Sequence, residues 1–316
     1  MIFAEWTHHD AAGVGIHVYC WQPDLPVNPW AVVQIVHGVA ETAVRYERFA
    51  AALTESGLMV YANDHRGHGR TAESIDKLGQ VGEDAFSWMV QDLGELTADI
   101  RSRHPNLPIL LFAHSMGSFL AQLYISEPGE KLDGVILSGT HGKFGWRSRI
   151  GSLIATREIH RLGPLTRSPL LAHLMFGSYN RRVARARTSM DWLTRDVEEV
   201  DRYLADPMCG FTLSAGFYSG FFRGLSEMHN RTRLKQIPRD LPILILAGME
   251  DPVGRYGRGV RSLLHTYRRM GLTNVSCHWY PGARHELLND TSRDEVTQDI
   301  LVWIRYVVGS QGVSAP

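Results

Sequence analysis

The sequence predicts an α/β fold in which a mostly parallel, doubly wound sheet carries an inserted helical cap. Short apolar runs alternate with helical apolar stripes along most of the chain. Most of the runs are apolar at successive positions, as expected for strands that are covered on both faces. The alternation stops between residues 140 and 235, where Arg-rich helical sequence replaces it. We therefore predict a core of residues 1–139 and 236–316 and a cap of residues 140–235.

The predicted strands begin close to the N-terminus. Val14, Ile16, Val18 and Cys20 recur at every second position, which predicts an antiparallel strand at the edge of the sheet. The uniformly apolar strands come from the runs AVVQIVHG, LMVYAND, LPILLFAHS, GVILSG and LPILILAG, which begin at residues 31, 58, 107, 134 and 241. A last strand is predicted from NVSCHWY, and helical stripes predict helices within residues 46–53, 86–100 and 296–307.

The composition and charge narrow the classes of function. Lys plus Arg and Asp plus Glu both number 33 in 316 residues, so no net charge attracts nucleic acid. The three cysteines are far apart and form no Cys-x-x-Cys pair, which argues against disulfides and a cysteine zinc site. The N-terminus lacks a secretory pattern, and no run of about 18 apolar residues occurs. We expect a cytoplasmic protein without a spanning helix and without a nucleic-acid partner.

The stretch LFAHSMGSFLAQLY predicts a nucleophile at the turn between a strand and a helix. Ser115 follows an apolar run and precedes a helical stripe, with Ala113 two residues before it and Gly117 two residues after. Small residues at these positions let the strand and the helix approach each other around an exposed hydroxyl. The pattern is Gly-x-Ser-x-Gly with Ala for the first Gly. A plain N-cap serine is the alternative, which the strand–turn–helix context disfavours.

A serine nucleophile needs a histidine base and an acid that orients it. Asp251 follows the strand LPILILAG directly, and His285 follows the strand NVSCHWY in PGARHELL. The order Ser, Asp, His is the one expected for a nucleophile elbow in an α/β fold. His278 and His265 are weaker candidates because they fall inside a strand and a helix. We predict the triad Ser115, Asp251 and His285.

Acyl transfer also needs donors for the oxyanion of the tetrahedral intermediate. In this type of fold they come from the residue after the nucleophile and from the loop after the third strand. We therefore predict the backbone N–H groups of Met116 and Val39, the latter in VHGVAET. Gly38 would let this loop pass close to the substrate carbonyl, although an ordinary turn glycine is the alternative.

NDHRGHGRT is the remaining dense motif. His65 and His68 could suggest a metal site, but the glycines between them form no rigid helix face and Asp64 is the single acid nearby. A phosphate-binding loop is also weak, because no Gly-x-Gly-x-x-Gly pattern follows. We predict that this loop braces the floor of the active site, and we predict no metal.

Five motifs together resemble the α/β-hydrolases and, within them, the monoacylglycerol lipase and lysophospholipase group. They are HGVAETAVRYERFA, DHRGHGRT, AHSMGS, AGMEDPV and GARHELLND, between about residue 30 and the C-terminus. The resemblance implies the α/β-hydrolase fold, a cofactor-free hydrolysis of carboxylic esters of single-chain lipids, the triad Ser115, Asp251 and His285, and oxyanion donors at Val39 and Met116. Epoxide hydrolases and haloalkane dehalogenases of this fold are expected to have aspartate at the elbow, so Ser115 argues against both.

Three other interpretations remain open at this point. A short-chain carboxylesterase or a serine aminopeptidase would use the same triad. A non-catalytic binding protein of this fold would usually have lost a triad residue, and all three are present.

The predicted cap carries apolar and basic residues whose roles the sequence leaves open. Its apolar residues could line an acyl-chain channel or form buried helix faces. Between residues 141 and 190 ten Lys and Arg stand against the single acid Glu158. These cations could pair with the acids that follow, or they could bring the cap onto an anionic lipid surface. The second alternative predicts a peripheral contact with membranes.

Overall fold

A mostly parallel sheet forms the centre of the computed structural model, which describes residues 1–11, 13–129 and 131–310. In the described residues, eight strands form one sheet in the order β1-β2-β4-β3-β5-β6-β7-β8. The strands are β1 Ile2–His9, β2 Gly15–Gln22, β3 Ala31–Val36, β4 Leu58–Asn63, β5 Ile109–His114, β6 Gly134–Ser138, β7 Ile243–Gly248 and β8 Val275–Tyr280. Neighbours from β4 to β8 pair in parallel, which confirms the predicted fold class.

Helices follow most of the parallel strands and cover both faces of the sheet. They are α1 Glu47–Glu55, α2 Ala85–Arg103, α3 Met116–Tyr124, α4 Trp146–Leu162, α5 Pro169–Phe176, α6 Val197–Ala205, α7 Ala215–Glu227, α8 Arg231–Leu234, α9 Arg258–Arg269 and α10 Arg293–Ser310. Leu53 of α1 and Ile300 of α10 pack on one face of the sheet. Met89 of α2 and Leu120 of α3 pack on the other face. The predicted apolar stripes are therefore the buried sides of these helices.

The N-terminal edge of the sheet differs from the prediction. Strand β2 is antiparallel as predicted, but it is not the edge, because β1 pairs along its outer side from Ile2 with Gln22 to His9 with Gly15. No residue of β1 is fully buried, and every second side chain is exposed. A strand with so little buried surface needs no strict apolar alternation, so its sequence gives a weak strand signal.

The chain between β6 and β7 is helical, as the break in the strand–helix alternation suggested. It contains α4 to α8, with α4 packed on α7 and α7 packed on α2 and α3 of the sheet layer. The exact division at residues 140 and 235 stays a prediction, and residues 311–316 of the predicted core lie outside the described part. None of the described helices is both long enough and apolar enough to cross a membrane.

Candidate active site

Ser115 lies at the turn between β5 and α3. Its backbone has φ 52° and ψ −118°. L residues rarely adopt this strained conformation, and where it occurs it is concentrated at functional sites. The Ser115 N–H donates to the carbonyl of Ser138 in the next strand, 2.9 Å away. A Cβ at Gly117 would come within 2.2 Å of the Val36 carbonyl oxygen, so a larger residue there would push α3 off the sheet. The glycine at position 117 of the predicted elbow is therefore sterically required.

The predicted triad residues come together at the carboxyl ends of β5, β7 and β8. His285 Nε2 lies 2.9 Å from Ser115 Oγ, and His285 Nδ1 lies 3.1 Å from Asp251 Oδ1. A carboxylate only accepts, so Nδ1 carries the proton and Nε2 is free to accept from the serine hydroxyl. Asp251 and His285 are each 2 % exposed and Ser115 is 9 % exposed. The arrangement can transfer a proton from the serine to the imidazole.

The electrostatics around His285 favour its protonated form during such a transfer. Burial, the largest single effect, would lower the pKa of this imidazole, but the Asp251 carboxylate, together with Glu286 and Glu41, outweighs burial and the pKa is raised above 6.5. The neighbouring His114, whose ring centroid is 4.8 Å away, behaves differently. Burial, followed by the charge of His285, lowers the pKa of His114 to about 3, so this ring stays neutral.

Gly38 and Val39 bring the loop after β3 against the nucleophile. A Cβ at Gly38 would lie 3.2 Å from Ser115 Cβ, so the loop passes in van der Waals contact with the serine. The Gly38 N–H donates to Glu41 Oε1 at 2.5 Å, which holds the loop in this position. Met116 begins α3 directly after Ser115. Met116 thus adjoins the serine in the chain, and Val39 follows the glycine that contacts it; their role as oxyanion donors stays a prediction.

Three buried charges that the sequence analysis missed support this loop. Arg45 donates to both oxygens of Glu286, at 2.9 and 2.7 Å, and to Glu41 Oε2 at 2.5 Å. Burial raises the pKa of Glu41, whereas Arg45 outweighs burial at Glu286 and lowers its pKa to about 2. The spacing of Glu41 and Arg45, and the position of Glu286 after His285, were signals available in the sequence.

The NDHRGHGRT loop is tied into the same region by its acid. Asp64 accepts from the Thr42 hydroxyl and the Ala43 N–H through one oxygen, and from the Tyr19 hydroxyl and the Arg70 N–H through the other, all within 2.8 Å. This is the bracing contact expected of a structural loop. In the described residues, no group of three or more His, Cys, Asp or Glu side chains is arranged to hold a metal ion.

Three neutral histidines pack behind the loop after β3. The ring centroids of His37 and His65 are 4.1 Å apart, and those of His37 and His68 are 5.4 Å apart. His37 Nε2 accepts from the His65 N–H at 3.0 Å, so its Nδ1–H donates to the Gly38 carbonyl at 2.7 Å. Burial lowers the pKa of His37 and His65 well below 6.5, and it lowers that of His68 to about 4. The cluster is therefore uncharged at neutral pH.

Two cavities meet at Ser115. The smaller cavity, of about 300 Å³, has a mainly apolar lining but contains the charged and polar side chains of the site, and we call it the polar cavity for them; they include Glu41, His114, Asn180, Tyr218, His285 and Glu286. The apolar cavity, of about 470 Å³, is lined by Met116, Phe144, Ile154, Met175, Phe222 and Val253 among others. Val39, Ser115, Phe176 and Trp192 line both cavities and form their common boundary. The site therefore offers two mainly apolar spaces that meet at the serine, and the smaller one contains the charged residues Glu41 and Glu286.

Trp192 is a cap residue that the sequence analysis did not single out. It is 6 % exposed, and its ring lies 5.1 Å from the His285 ring, between centroids. The Tyr179 ring packs edge-on against it at 4.7 Å. Trp192 shields the imidazole from solvent on this side. No local sequence pattern predicts such a contact, because the contact depends on how the segment between β6 and β7 folds back over the sheet.

The apolar residues of the predicted cap divide between the two roles that the sequence left open. Most of them line the apolar cavity, namely Ile154, Leu171, Leu174, Met175, Phe176, Phe221 and Phe222. Phe211 and Tyr218 line the polar cavity instead. Phe217 is a buried core residue, whereas Leu153 and Leu170 are 72 % and 46 % exposed. More of these residues therefore line a cavity than are buried away from both cavities, although Leu171, Tyr218 and Phe221 also belong to the hydrophobic core; an acyl-chain channel stays a prediction.

Comparisons with known proteins agree with this architecture. The family profile described as Hydrolase_4, serine aminopeptidase S33, matches residues 27–292. The monoacylglycerol lipase of Mycolicibacterium smegmatis is 29% identical over 311 residues, which cover 96% of this chain and 99% of that protein. The monoglyceride lipase of Mus musculus is 27% identical, over 96% of this chain and 91% of that protein. A thermostable carboxyl esterase from Bacillus coagulans, solved in complex with glycerol, has a TM-score of 0.89 and 29% identity, over 98% of this chain and 99% of that chain.

Proposed function

The chain belongs to the Hydrolase_4 family of α/β-hydrolases, in the group that resembles monoglyceride lipases, and from this premise we propose that it is a monoacylglycerol lipase. It is a carboxylic ester hydrolase. The observation that best supports the proposed monoacylglycerol lipase activity is the chain of hydrogen bonds from Asp251 through His285 to Ser115, at the junction of the apolar and the polar cavity.

The proposed reaction proceeds through an acyl-enzyme. His285 Nε2 takes the Ser115 proton as Oγ attacks the ester carbonyl, and the imidazolium then protonates the leaving alcohol. Asp251 keeps His285 in the required tautomer and stabilises its positive charge. The N–H groups of Val39 and Met116 hold the oxyanion, each with an effect of roughly two to three orders of magnitude on the rate. Water activated by His285 then releases the fatty acid.

The apolar cavity suits the acyl chain of the substrate. Its volume of about 470 Å³ lies within the usual range of ligand cavities, and aromatic and aliphatic side chains form most of its lining. A chain buried there would gain roughly 0.8 kcal/mol per methylene group. This size favours a lipid ester over the short-chain carboxylesterase alternative.

The polar cavity favours a neutral leaving alcohol over a phosphorylated one. Its lining includes the carboxylates Glu41 and Glu286, and within the described ranges it includes no lysine or arginine. A lysophospholipid would bring its phosphate into a confined space beside the cluster of Glu41, Arg45 and Glu286, where two carboxylates face a single guanidinium and the net charge is negative, which is electrostatically unfavourable. A glycerol group carries no such charge. Monoacylglycerol therefore fits better than a lysophospholipid.

The aminopeptidase alternative needs a free anionic group for the α-ammonium of a peptide. Both carboxylates that line the polar cavity are already paired with Arg45. An ammonium ion would have to compete with a bidentate guanidinium contact, which is one of the stronger charge pairs. This argues for ester over peptide substrates.

We also propose that the protein draws its substrate from lipid surfaces through the cap. Trp146, Ile150 and Leu174 are 68 %, 45 % and 53 % exposed, and the same residues line the apolar cavity. An exposed apolar patch that continues into a cavity is typical of a lipid-contact site.

A substrate panel tests the proposed function. The purified protein is offered a monoacylglycerol, a lysophosphatidylglycerol with the same acyl chain, esters of shorter acids, and aminoacyl amides. We expect the highest kcat/KM with the long-chain monoacylglycerol and loss of all ester turnover in Ser115→Ala. Faster cleavage of the lysophospholipid or of an amide would contradict the assignment.

A further inference from the structure

A network of buried hydrogen bonds leads from the interior of the protein to the peptide group that follows the nucleophile. The Ser118 hydroxyl lies 2.6 Å from the Ser115 carbonyl oxygen and 2.9 Å from Thr140 Oγ1. Thr140 Oγ1 lies 2.9 Å from Gln122 Nε2. Ser118 and Thr140 are 0 % exposed and Gln122 is 1 % exposed, so these contacts lie inside the protein.

The direction of each hydrogen bond in this network follows from the groups that form it. A carbonyl oxygen only accepts, so the single hydroxyl proton of Ser118 points to the Ser115 carbonyl. The contact between the two hydroxyls then needs Thr140 as the donor to Ser118 Oγ. Because the Thr140 proton is used in this way, its oxygen accepts from the Gln122 amide nitrogen. All three bonds therefore donate toward Ser115.

The side chain of Gln122 is fixed by partners on both sides of its amide. The amide nitrogen also donates to the His141 carbonyl oxygen at 3.2 Å. The amide oxygen accepts from the Tyr267 hydroxyl at 3.3 Å and from His229 Nε2 at 3.1 Å. A flipped amide would place its oxygen against the His141 carbonyl, where both atoms only accept, so one orientation fits. Gln122 is thus the fixed start of the network.

The other end of the network acts on the peptide group between Ser115 and Met116. The Ser115 carbonyl oxygen and the Met116 N–H belong to this one planar unit. A hydrogen bond to the oxygen withdraws electron density from the nitrogen, so the N–H becomes a stronger donor, and aligned hydrogen bonds reinforce one another. The rare Ser115 conformation, with ψ −118°, sets the orientation of this peptide, and a fixed partner for its oxygen resists rotation out of it.

We propose that Ser118, Thr140 and Gln122 are positioning residues of the oxyanion hole, because their hydrogen-bond network orients and polarises the Met116 N–H. In the described ranges none of the three lines either cavity, so they act through the peptide and not on the substrate. The inference rests on the proposed function, in which the Met116 N–H holds the oxyanion. This charge develops in the transition state, so the network should affect kcat and not KM.

Ser118→Ala removes the last hydroxyl of the network and tests this role. We expect kcat for a soluble p-nitrophenyl ester to fall about five- to tenfold, as for the loss of one neutral hydrogen bond. Acylation and deacylation both pass through an oxyanion and should slow together, so KM should stay level. The affinity for an alkyl trifluoromethyl ketone, whose adduct with Ser115 carries an oxyanion, should fall by the same factor as kcat.

Ser126→Ala is the matched control, just beyond the C-terminal end of the same helix. The Ser126 hydroxyl and N–H both donate to the Leu123 carbonyl three residues before it, at 2.7 and 3.0 Å. Ser118 makes the same two contacts with the Ser115 carbonyl, and both serines are buried. We expect Ser126→Ala to leave kcat and the affinity for the trifluoromethyl ketone unchanged, which separates the oxyanion peptide from the general stability of α3.

Two variants of Thr140 test the middle of the network. Valine cannot donate to Ser118, so Thr140→Val should lower kcat about threefold, whereas Thr140→Ser keeps the hydroxyl and should restore it. A Cβ at the preceding Gly139 would lie 2.8 Å from His285 Cε1, so a shift of this segment would also disturb the imidazole. The midpoint of the acid limb of kcat/KM reports such a disturbance, and we expect it to stay in place in Thr140→Val.

Equal kcat values in the unmodified protein and in Ser118→Ala would overturn the inference. Equal losses in Ser118→Ala and Ser126→Ala, or a loss that appears in KM alone, would also overturn it. A shifted acid limb in Thr140→Val would mean that the network acts on His285 and not on the Met116 N–H. Ester turnover that persists in Ser115→Ala is a different result, since it would remove the proposed function whatever the network variants do.

Discussion

At the scale of single residues, the side chains of the proposed triad should act as a unit. We expect Ser115→Ala and His285→Ala each to lower kcat by at least about 10⁴-fold, and the double variant to be little worse than either. The reason is that the serine is not a useful nucleophile without its base, so the second loss removes nothing further. Steady-state kinetics on a soluble ester measure this.

Two observations would contradict this assignment. Losses that multiply in the double variant would mean that the two residues act separately. A fluorophosphonate that labels a serine other than Ser115 on active protein would mean that the nucleophile lies elsewhere.

The pKa of His285 predicts the acid limb of the pH profile. His285 must be neutral to accept the serine proton, and Asp251 raises its pKa above 6.5 against the effect of burial. The apparent kcat/KM should therefore rise through a midpoint above pH 6.5, because this ratio reports the free enzyme. In Asp251→Asn the residual activity should have a lower midpoint, since burial then acts without the carboxylate. A midpoint that stays in place in this variant would mean that another group controls the limb.

At the scale of elements, the exposed side of α4 is the part of the cap best suited to contact lipid. Trp146, Ile150 and Leu153 are spaced by four and three residues, so they lie on one face of the helix. Arg149 and Arg157 are exposed on the same helix. Elsewhere in the basic segment, Arg187 pairs with Asp201 and Arg182 packs on the Tyr256 ring, so some of these cations are used internally.

A triple variant on α4 tests the contact. Leu153→Ser, Arg149→Gln and Arg157→Gln change exposed residues outside both cavity linings. Each arginine near an anionic surface contributes about 1 kcal/mol, so hydrolysis of a monoacylglycerol in anionic vesicles should fall about tenfold or more and lose its salt sensitivity. Turnover of a soluble short-chain ester should stay level.

The matched control for this test lies in two helices of the predicted core, α9 and α10. Val302→Ser, Arg268→Gln and Arg269→Gln make the same changes at exposed positions of α10 and α9. We expect them to leave vesicle hydrolysis unchanged. An equal fall in both triple variants would mean that the effect is one of total charge, and the contact through α4 would be wrong.

The same scale shows what the sequence predicted and what it could not. The elbow around Ser115 was predictable because its small residues, Ala113 and Gly117, flank the serine within one short segment, even though the atom that excludes a larger residue at 117 is the Val36 carbonyl oxygen of β3. Strand β1 was missed because an edge strand buries too little to need a strict pattern. Trp192 was missed because its contact with His285 depends on a fold-back of distant segments. A sequence pattern can predict a structure formed within one segment, but it does not predict contacts between distant segments across the site.

At the scale of the whole molecule, buried neutral histidines predict a loss of stability in acid. Burial lowers the pKa of His68 to about 4 and that of His114 to about 3, and it lowers those of His37 and His65 well below 6.5. An unfolded chain binds these protons below about pH 6.5, whereas the folded protein does not until the lower values. The free energy of unfolding should therefore decrease as pH falls from about 6.5 toward 4. As pH falls, His285, whose pKa is raised, gains its stabilising contribution above pH 6.5 and adds no further change within this window.

The measurement is urea unfolding at pH 7 and pH 5 on His68→Gln and on the unmodified protein. Each such histidine should lower the free energy of unfolding by up to about 1.4 kcal/mol per pH unit within the window, so four of them reach the total stability of a typical domain. His68→Gln keeps an N–H for the Arg66 carbonyl and should reduce the loss between the two pH values by about 1–2 kcal/mol. The exposed His9→Gln should leave the loss unchanged, and an equal loss in all three proteins would show that other groups drive acid unfolding.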